Sequence, residues 1–79
     1  MILLALVTTS CHNCPPIKKY IQNHHIEVDE IVIMDETHEA FGKNCDYWGA
    51  TSAPTVLLID DGEEVGRAHN VEELKQLLK

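Results

Sequence analysis

Nothing in the chain approaches the ~20 consecutive apolar residues that a bilayer-crossing helix requires. Positive charge is scarce: 6 Lys and Arg face 13 Asp and Glu, for a formal net charge of −7. That balance argues against nucleic acid and anionic membrane surfaces as main partners, because both are held by neutralising negative charge. The N-terminus lacks the basic segment and small-residue cleavage site of a secretory leader, so Met1 to Val7 is expected as a strand and the protein as cytoplasmic. There is no internal repeat, low-complexity segment or linker. Cysteine numbers only 3, an odd count that argues against a purely structural disulfide framework. In a reducing compartment, a Cys-x-x-Cys pair is more often catalytic or metal-binding than a staple.

What is present suits one α/β domain over residues 1–79. A chain this short buries only about 60% of its unfolded surface, a thin but adequate core. Ile2 to Thr8 is continuously apolar rather than alternating, as befits a central strand covered on both faces. Ile17, Tyr20, Ile21 and His24 then recur at helical spacing, and that helix should end near His24 or His25. Glu27 to Met34 reads as a second strand, completing a right-handed βαβ unit with parallel strands. Asp35 or Thr37 is expected to cap a second helix bearing Ala40, Phe41 and Cys45 on its apolar face, with Gly49 as its stop. Pro54 to Asp60 makes a third strand, and Asp61-Gly62 a hairpin turn into Glu63 to Ala68. Asn70-Val71-Glu72-Glu73 opens a last helix whose Val71, Leu74, Leu77 and Leu78 face inward. The predicted order is βαβαββα.

Chemistry concentrates in Ser10-Cys11-His12-Asn13-Cys14-Pro15, where the first strand hands over to the first helix. Ser10 is a candidate N-cap, and Pro15 and Pro16 are tolerated in a first turn, whose N–H groups have no helical partner. A helix N-terminus favours a thiolate, so Cys11 can be nucleophilic at neutral pH; His12 either strengthens that effect when protonated or is an exposed first-turn residue of small effect. The alternative is zinc: Cys11 and Cys14 supply half of a structural site that Cys45 and any of 5 histidines would complete. No second Cys-x-x-Cys and no zinc-finger histidine pair supports that set, and no metal is expected.

With Thr51-Ser52-Ala53-Pro54-Thr55 opening the third strand, the chain resembles the thioredoxin superfamily, in particular the minimal, glutaredoxin-sized thioredoxins of archaea and phages. The resemblance spans nearly the whole chain. It implies a four-stranded mixed sheet with strands one and two parallel and three and four antiparallel, and a cis Pro54 against the disulfide. It also implies that Ala53, Pro54 and Thr55 form the substrate-binding edge, the Ala53 backbone pairing with an extended segment. Catalysis would then need no cofactor beyond a redox-active Cys11–Cys14 disulfide, with Cys11 attacking and Cys14, the more buried, resolving. The implied partners are disulfide-containing proteins, of which ribonucleotide reductase is one, and a thioredoxin-reductase-type electron donor. A monomer is expected.

Departures from that family matter as much. Thioredoxins usually carry tryptophan before the first cysteine and Gly-Pro between the two, where this chain has Ser10 and His12-Asn13. Their buried acid, upstream in the first strand, is Ala5 here. Glutaredoxins carry Gly-Gly-x-Asp before the last helix for glutathione, and Gly66-Arg67-Ala68-His69-Asn70 lacks the second glycine and the acid. Ala-Pro-Thr and the longer Asp-Gly hairpin favour the thioredoxin branch, with a glutathione-dependent protein as one alternative and a small zinc-binding or interaction domain on the same fold as the other. Elsewhere Cys45 is expected as a buried structural thiol, Trp48 as packing, and His24-His25 and the acidic hairpin Asp60, Asp61, Glu63 and Glu64 as solvated surface. Arg67 and the lysines are too sparse to mark an anion site.

Overall fold

The computed structural model describes residues 1–12 and 14–78. Its elements are β1 (Ile2–Leu6), α1 (Cys14–Asn23), β2 (Glu30–Met34), α2 (Phe41–Trp48), β3 (Thr55–Asp60), β4 (Glu63–Ala68) and α3 (Val71–Leu77). The four strands form one sheet in the order β2-β1-β3-β4. β1 runs parallel to β2 and antiparallel to β3, and β3 is antiparallel to β4.

The unbroken apolar run of β1 follows from its place inside the sheet. Leu3 and Ala5 belong to a cluster with Ile17 and Ile21 of α1, Val56, Leu58 and Ala68 of the sheet, and Leu74 of α3. Leu4 and Leu6 point the other way, into a cluster with Met34, Leu57 and Ile59 against Phe41, Cys45 and Trp48 of α2. Alternating side chains of one strand thus serve two cores, which leaves no position for a polar residue.

The ends of β2 and α2 differ from expectation for identifiable reasons. Residues 26–29 fold into a turn, with Val28 N–H donating to the Ile26 carbonyl and Asp29 N–H to that of Met1. The Met1 amino group also meets the Asp29 carboxylate at 2.5 Å, so β2 begins at Glu30 rather than Glu27. Asp35 does not cap α2: its Oδ1 accepts from Thr37 N–H at 2.9 Å and from the Thr37 hydroxyl, closing an Asx turn. The helix begins only at Phe41, after Ala40, which offers no side-chain cap. Its end is as expected, with Gly49 at φ 68° closing α2 through an N–H to carbonyl bond from Ala50 to Cys45.

Asp61 and Gly62 have φ of 53° and 79°, the paired positive values of a tight type I′ hairpin. Asn70 caps α3, its side chain accepting from Glu73 N–H, while Glu73 reaches back to His69 N–H at 2.8 Å. β4 and α3 then pack closely at Gly66, where an added Cβ would stand 2.1 Å from Leu77 Cδ1. Gly66→Ala is expected to cost about 1–3 kcal/mol, the usual range for overpacking. Urea unfolding reads that loss, and an unchanged midpoint would mean Leu77 swings aside freely.

Candidate active site

Cys11 and Cys14 form a disulfide with their Cα atoms 5.4 Å apart. Cys14 is the first residue of α1 and only 1% exposed, whereas Cys11, in the connection from β1, is half-buried. One sulfur is therefore open to a large partner and the other lies beneath it. Pro15 and Pro16 fall in the first turn of α1, and His12 is exposed. Ser10 is not the helix cap. The chain first makes a turn in which Cys11 N–H donates to the Thr8 carbonyl at 3.3 Å, and Ser10 sits exposed within it. Asn13, also expected beside the cysteines, lies outside the described residues.

The peptide bond between Ala53 and Pro54 is cis. Its position relative to the disulfide follows from strand register. Leu6 pairs with Thr55, so β1 leaves the sheet toward Cys11 where the cis-proline segment enters it. Pro54 is buried, Ala53 half-buried, and Thr55 fully buried with its hydroxyl donating to the Ser52 carbonyl at 2.6 Å. Among the described residues, the Ala53 N–H and carbonyl take no hydrogen-bond partner.

Polar ties hold the surrounding loops together, and sequence reading missed them. Glu36, between β2 and α2, accepts from Thr9 N–H at 3.0 and 3.1 Å and from the Thr9 hydroxyl. This fixes the chain just before the disulfide. The Thr9 hydroxyl, aided by the Glu36 and Thr9 amides, holds the Glu36 carboxyl below the usual carboxylate range. A depressed folded-state value means that the tie is fully present above about pH 4.3 and is lost as pH falls through the lower folded value. The Thr9 amide resonance is therefore expected to titrate below about pH 4.3 and to stay flat in Glu36→Gln. A wild-type titration at or above that value would refute the tie.

Arg67, set aside from charge alone, is engaged at the end of α2. Its guanidinium pairs with Glu64 at 2.7 and 2.8 Å and donates to the carbonyls of Trp48 and, at 3.4 Å, Gly49. It thereby anchors the start of the segment that runs to Pro54. His69, which no sequence pattern had marked, places Nδ1 3.3 Å from the Pro54 carbonyl oxygen. The available signal was topological: Ala68, the last residue of β4, pairs with Val56, so the residue that follows it must lie opposite Thr55 and next to Pro54.

Cys45 is half-buried rather than buried, and lines a cavity of about 190 Å³ with Leu6, Thr8, Phe41 and Ala53. Burial, and then the neighbouring Asp46 charge, push its thiol up, away from reactivity at neutral pH. Trp48 packs on the second cluster, edge-on to Tyr47 with ring centroids 4.6 Å apart. His24 is exposed and stacks on Tyr20 at 4.0 Å. Among the described residues, no group of three or more His, Cys, Asp or Glu side chains converges on a point where a metal could sit. None of the described helices is long and apolar enough to cross a membrane.

A mixed four-stranded sheet flanked by three helices, in this order, defines a thioredoxin-like α/β fold. Among solved structures, a thioredoxin from Thermus thermophilus superposes with a TM-score of 0.54 at 16% identity, covering 96% of this chain and 69% of that one. A structure described as that of a malarial protein superposes with a TM-score of 0.61, also at 16% identity, covering 96% and 90% of the two chains. No protein-family model matches the chain, and no curated protein does. Likeness at this identity establishes the fold; what the site does must come from its own residues.

Proposed function

We propose that the protein is a thiol–disulfide oxidoreductase that reduces protein disulfides. The observation that carries this reading is the pairing of a half-buried Cys11 with a buried Cys14 at the start of α1, at the end of the sheet where the cis Ala53–Pro54 segment enters. In the reduced protein, the Cys11 thiolate attacks one sulfur of a target disulfide. The target bond breaks, a Cys11–target bond forms, and one target thiolate leaves. Cys14, once deprotonated, attacks Cys11 Sγ, so that the mixed disulfide breaks and Cys11–Cys14 closes. Two electrons pass to the target, which takes up two protons. The unpartnered Ala53 backbone offers an edge on which the target's extended segment can pair during the exchange.

With the thioredoxin departures noted above, the branch that fits is a minimal thioredoxin of archaeal or phage type, working in a reducing cytoplasm and recharged by a reductase. Disulfide-containing enzymes such as ribonucleotide reductase are its proposed recipients. Equilibration in glutathione buffers, followed by acid quench and intact mass, tests this. Dithiol and intramolecular disulfide alone, with a midpoint at or below about −250 mV, support the thioredoxin reading. Accumulated glutathione adducts and a midpoint near about −200 mV would assign it to the glutaredoxins. Absence of any reversible Cys11–Cys14 couple, with zinc bound one to one, would replace the enzyme by a metal site.

A further inference from the structure

Two carbonyls flank Ala53, and each is met by a side chain. Thr55 Oγ1 donates to the Ser52 carbonyl from within the same segment. The Pro54 carbonyl is met by the ring of His69, from the connection between β4 and α3, with Nδ1 at 3.3 Å. A carbonyl oxygen only accepts, so Nδ1 must carry the proton, whichever charge the ring bears. His69 is itself well placed to act as a fixed donor. Ala68 before it is fully buried, its own N–H is taken by Glu73, and Asn70 after it caps α3. The donor thus stands on the rigid junction of sheet and helix rather than on a free loop.

We infer that His69 is a positioning residue for polypeptide substrates: its Nδ1–H fixes the Pro54 carbonyl, and so holds the Ala53 backbone in the orientation a disulfide-bearing segment pairs with. This rests on the oxidoreductase reading above. The ring acts on substrate through the Ala53–Pro54 segment, not on the reacting sulfurs. Its influence therefore falls on substrates that use the backbone edge, and not on a small disulfide that reaches Cys11 without it.

The test compares wild type, His69→Ala and His69→Asn in reducing insulin, with dithiothreitol as electron source, and in the single-turnover reaction of the reduced proteins with oxidised glutathione. An Asn amide nitrogen occupies nearly the place of Nδ1, so His69→Asn keeps a donor while losing the ring. His69→Ala should raise the KM for insulin about five-fold, within the worth of one neutral hydrogen bond, with kcat and the glutathione rate within about two-fold. His69→Asn should restore most of that loss. Nitrogen shifts of the wild-type ring should independently show protonated Nδ1. An unchanged KM, equal slowing with both substrates, or a neutral ring protonated at Nε2 would each overturn the role of His69. A wild-type protein that fails to reduce insulin would overturn the oxidoreductase reading and this inference with it, whereas a competent wild type with an indifferent His69→Ala sinks the inference alone.

Discussion

Cys14→Ser should halt turnover with the protein covalently joined to its target. Cys11 still attacks and opens the target disulfide, but no thiolate remains to displace the adduct, so a one-to-one mixed disulfide accumulates. Cys11→Ser should abolish reaction outright, with turnover at the uncatalysed rate and no adduct on Cys14. The asymmetry follows from burial, since Cys14 is 1% exposed and a protein disulfide cannot reach it. Intact mass after mixing each reduced variant with insulin separates the two outcomes. An adduct through Cys14 in Cys11→Ser would reverse the assigned order of attack. The half-buried Cys45, its thiol raised by desolvation, should stay unmodified in both.

The second large effect concerns Ala5, which stands where thioredoxins carry their buried acid. Ala5 is fully buried, its strand neighbours are Ile33 and Val56, and its cluster is formed of Leu, Ile, Val and Ala side chains. Ala5→Asp would place a carboxylate there without a partner. The expected cost at pH 7 is on the order of 3–5 kcal/mol, as for other unpaired buried charges. Total stability for a chain of this size is about 4–12 kcal/mol, so the variant should be marginal. Desolvation raises the folded-state pKa above the unfolded value of about 3.9. Stability is then intact below about pH 3.9 and lost as pH rises toward the folded value, at up to about 1.4 kcal/mol per unit. Urea unfolding at pH 5 and pH 7 should therefore show Ala5→Asp more stable at the lower pH relative to the parent. Equal destabilisation at both would mean that water reaches the site. In the proposed exchange, the apolar character of Ala5 would require the proton of Cys14 to leave by water or a group outside the strand.

Elements governed by local pattern were readable in the sequence, and those governed by long-range polar contacts were not. The double-sided apolar run of β1, the Asp61-Gly62 turn, the Gly49 stop and the Asn70 cap each carry their reason within a few residues. Cys11, Cys14 and Pro54 were legible for another cause, a resemblance of spacing that the fold bears out at the level of architecture. The start of α1 misled because Ser10 has cap chemistry but sits in a turn that precedes the helix. Asp35 misled likewise, since an Asx turn and a helix cap use the same acceptor on the same kind of N–H. Glu36, Arg67 and His69 gave no local sign, because their partners are Thr9, the Trp48 and Gly49 carbonyls, and Pro54. Such pairs become visible only once strand order brings distant loops to one end of the sheet.

Strand order also sets a timetable for synthesis. β1 leaves the ribosome first, yet one side of it is completed by Glu30–Met34 and the other only by Thr55–Asp60. Until β3 emerges, the apolar Leu3 to Val7 segment keeps an open hydrogen-bonding edge, the condition in which nascent strands associate wrongly. A chain stalled with residues 1–48 outside the tunnel should accordingly be cut readily by protease, and one extended past Ala68 should resist. The centre of the sheet is thus the first part made and among the last secured, so the protein's most vulnerable interval falls before its own hairpin arrives to shield it.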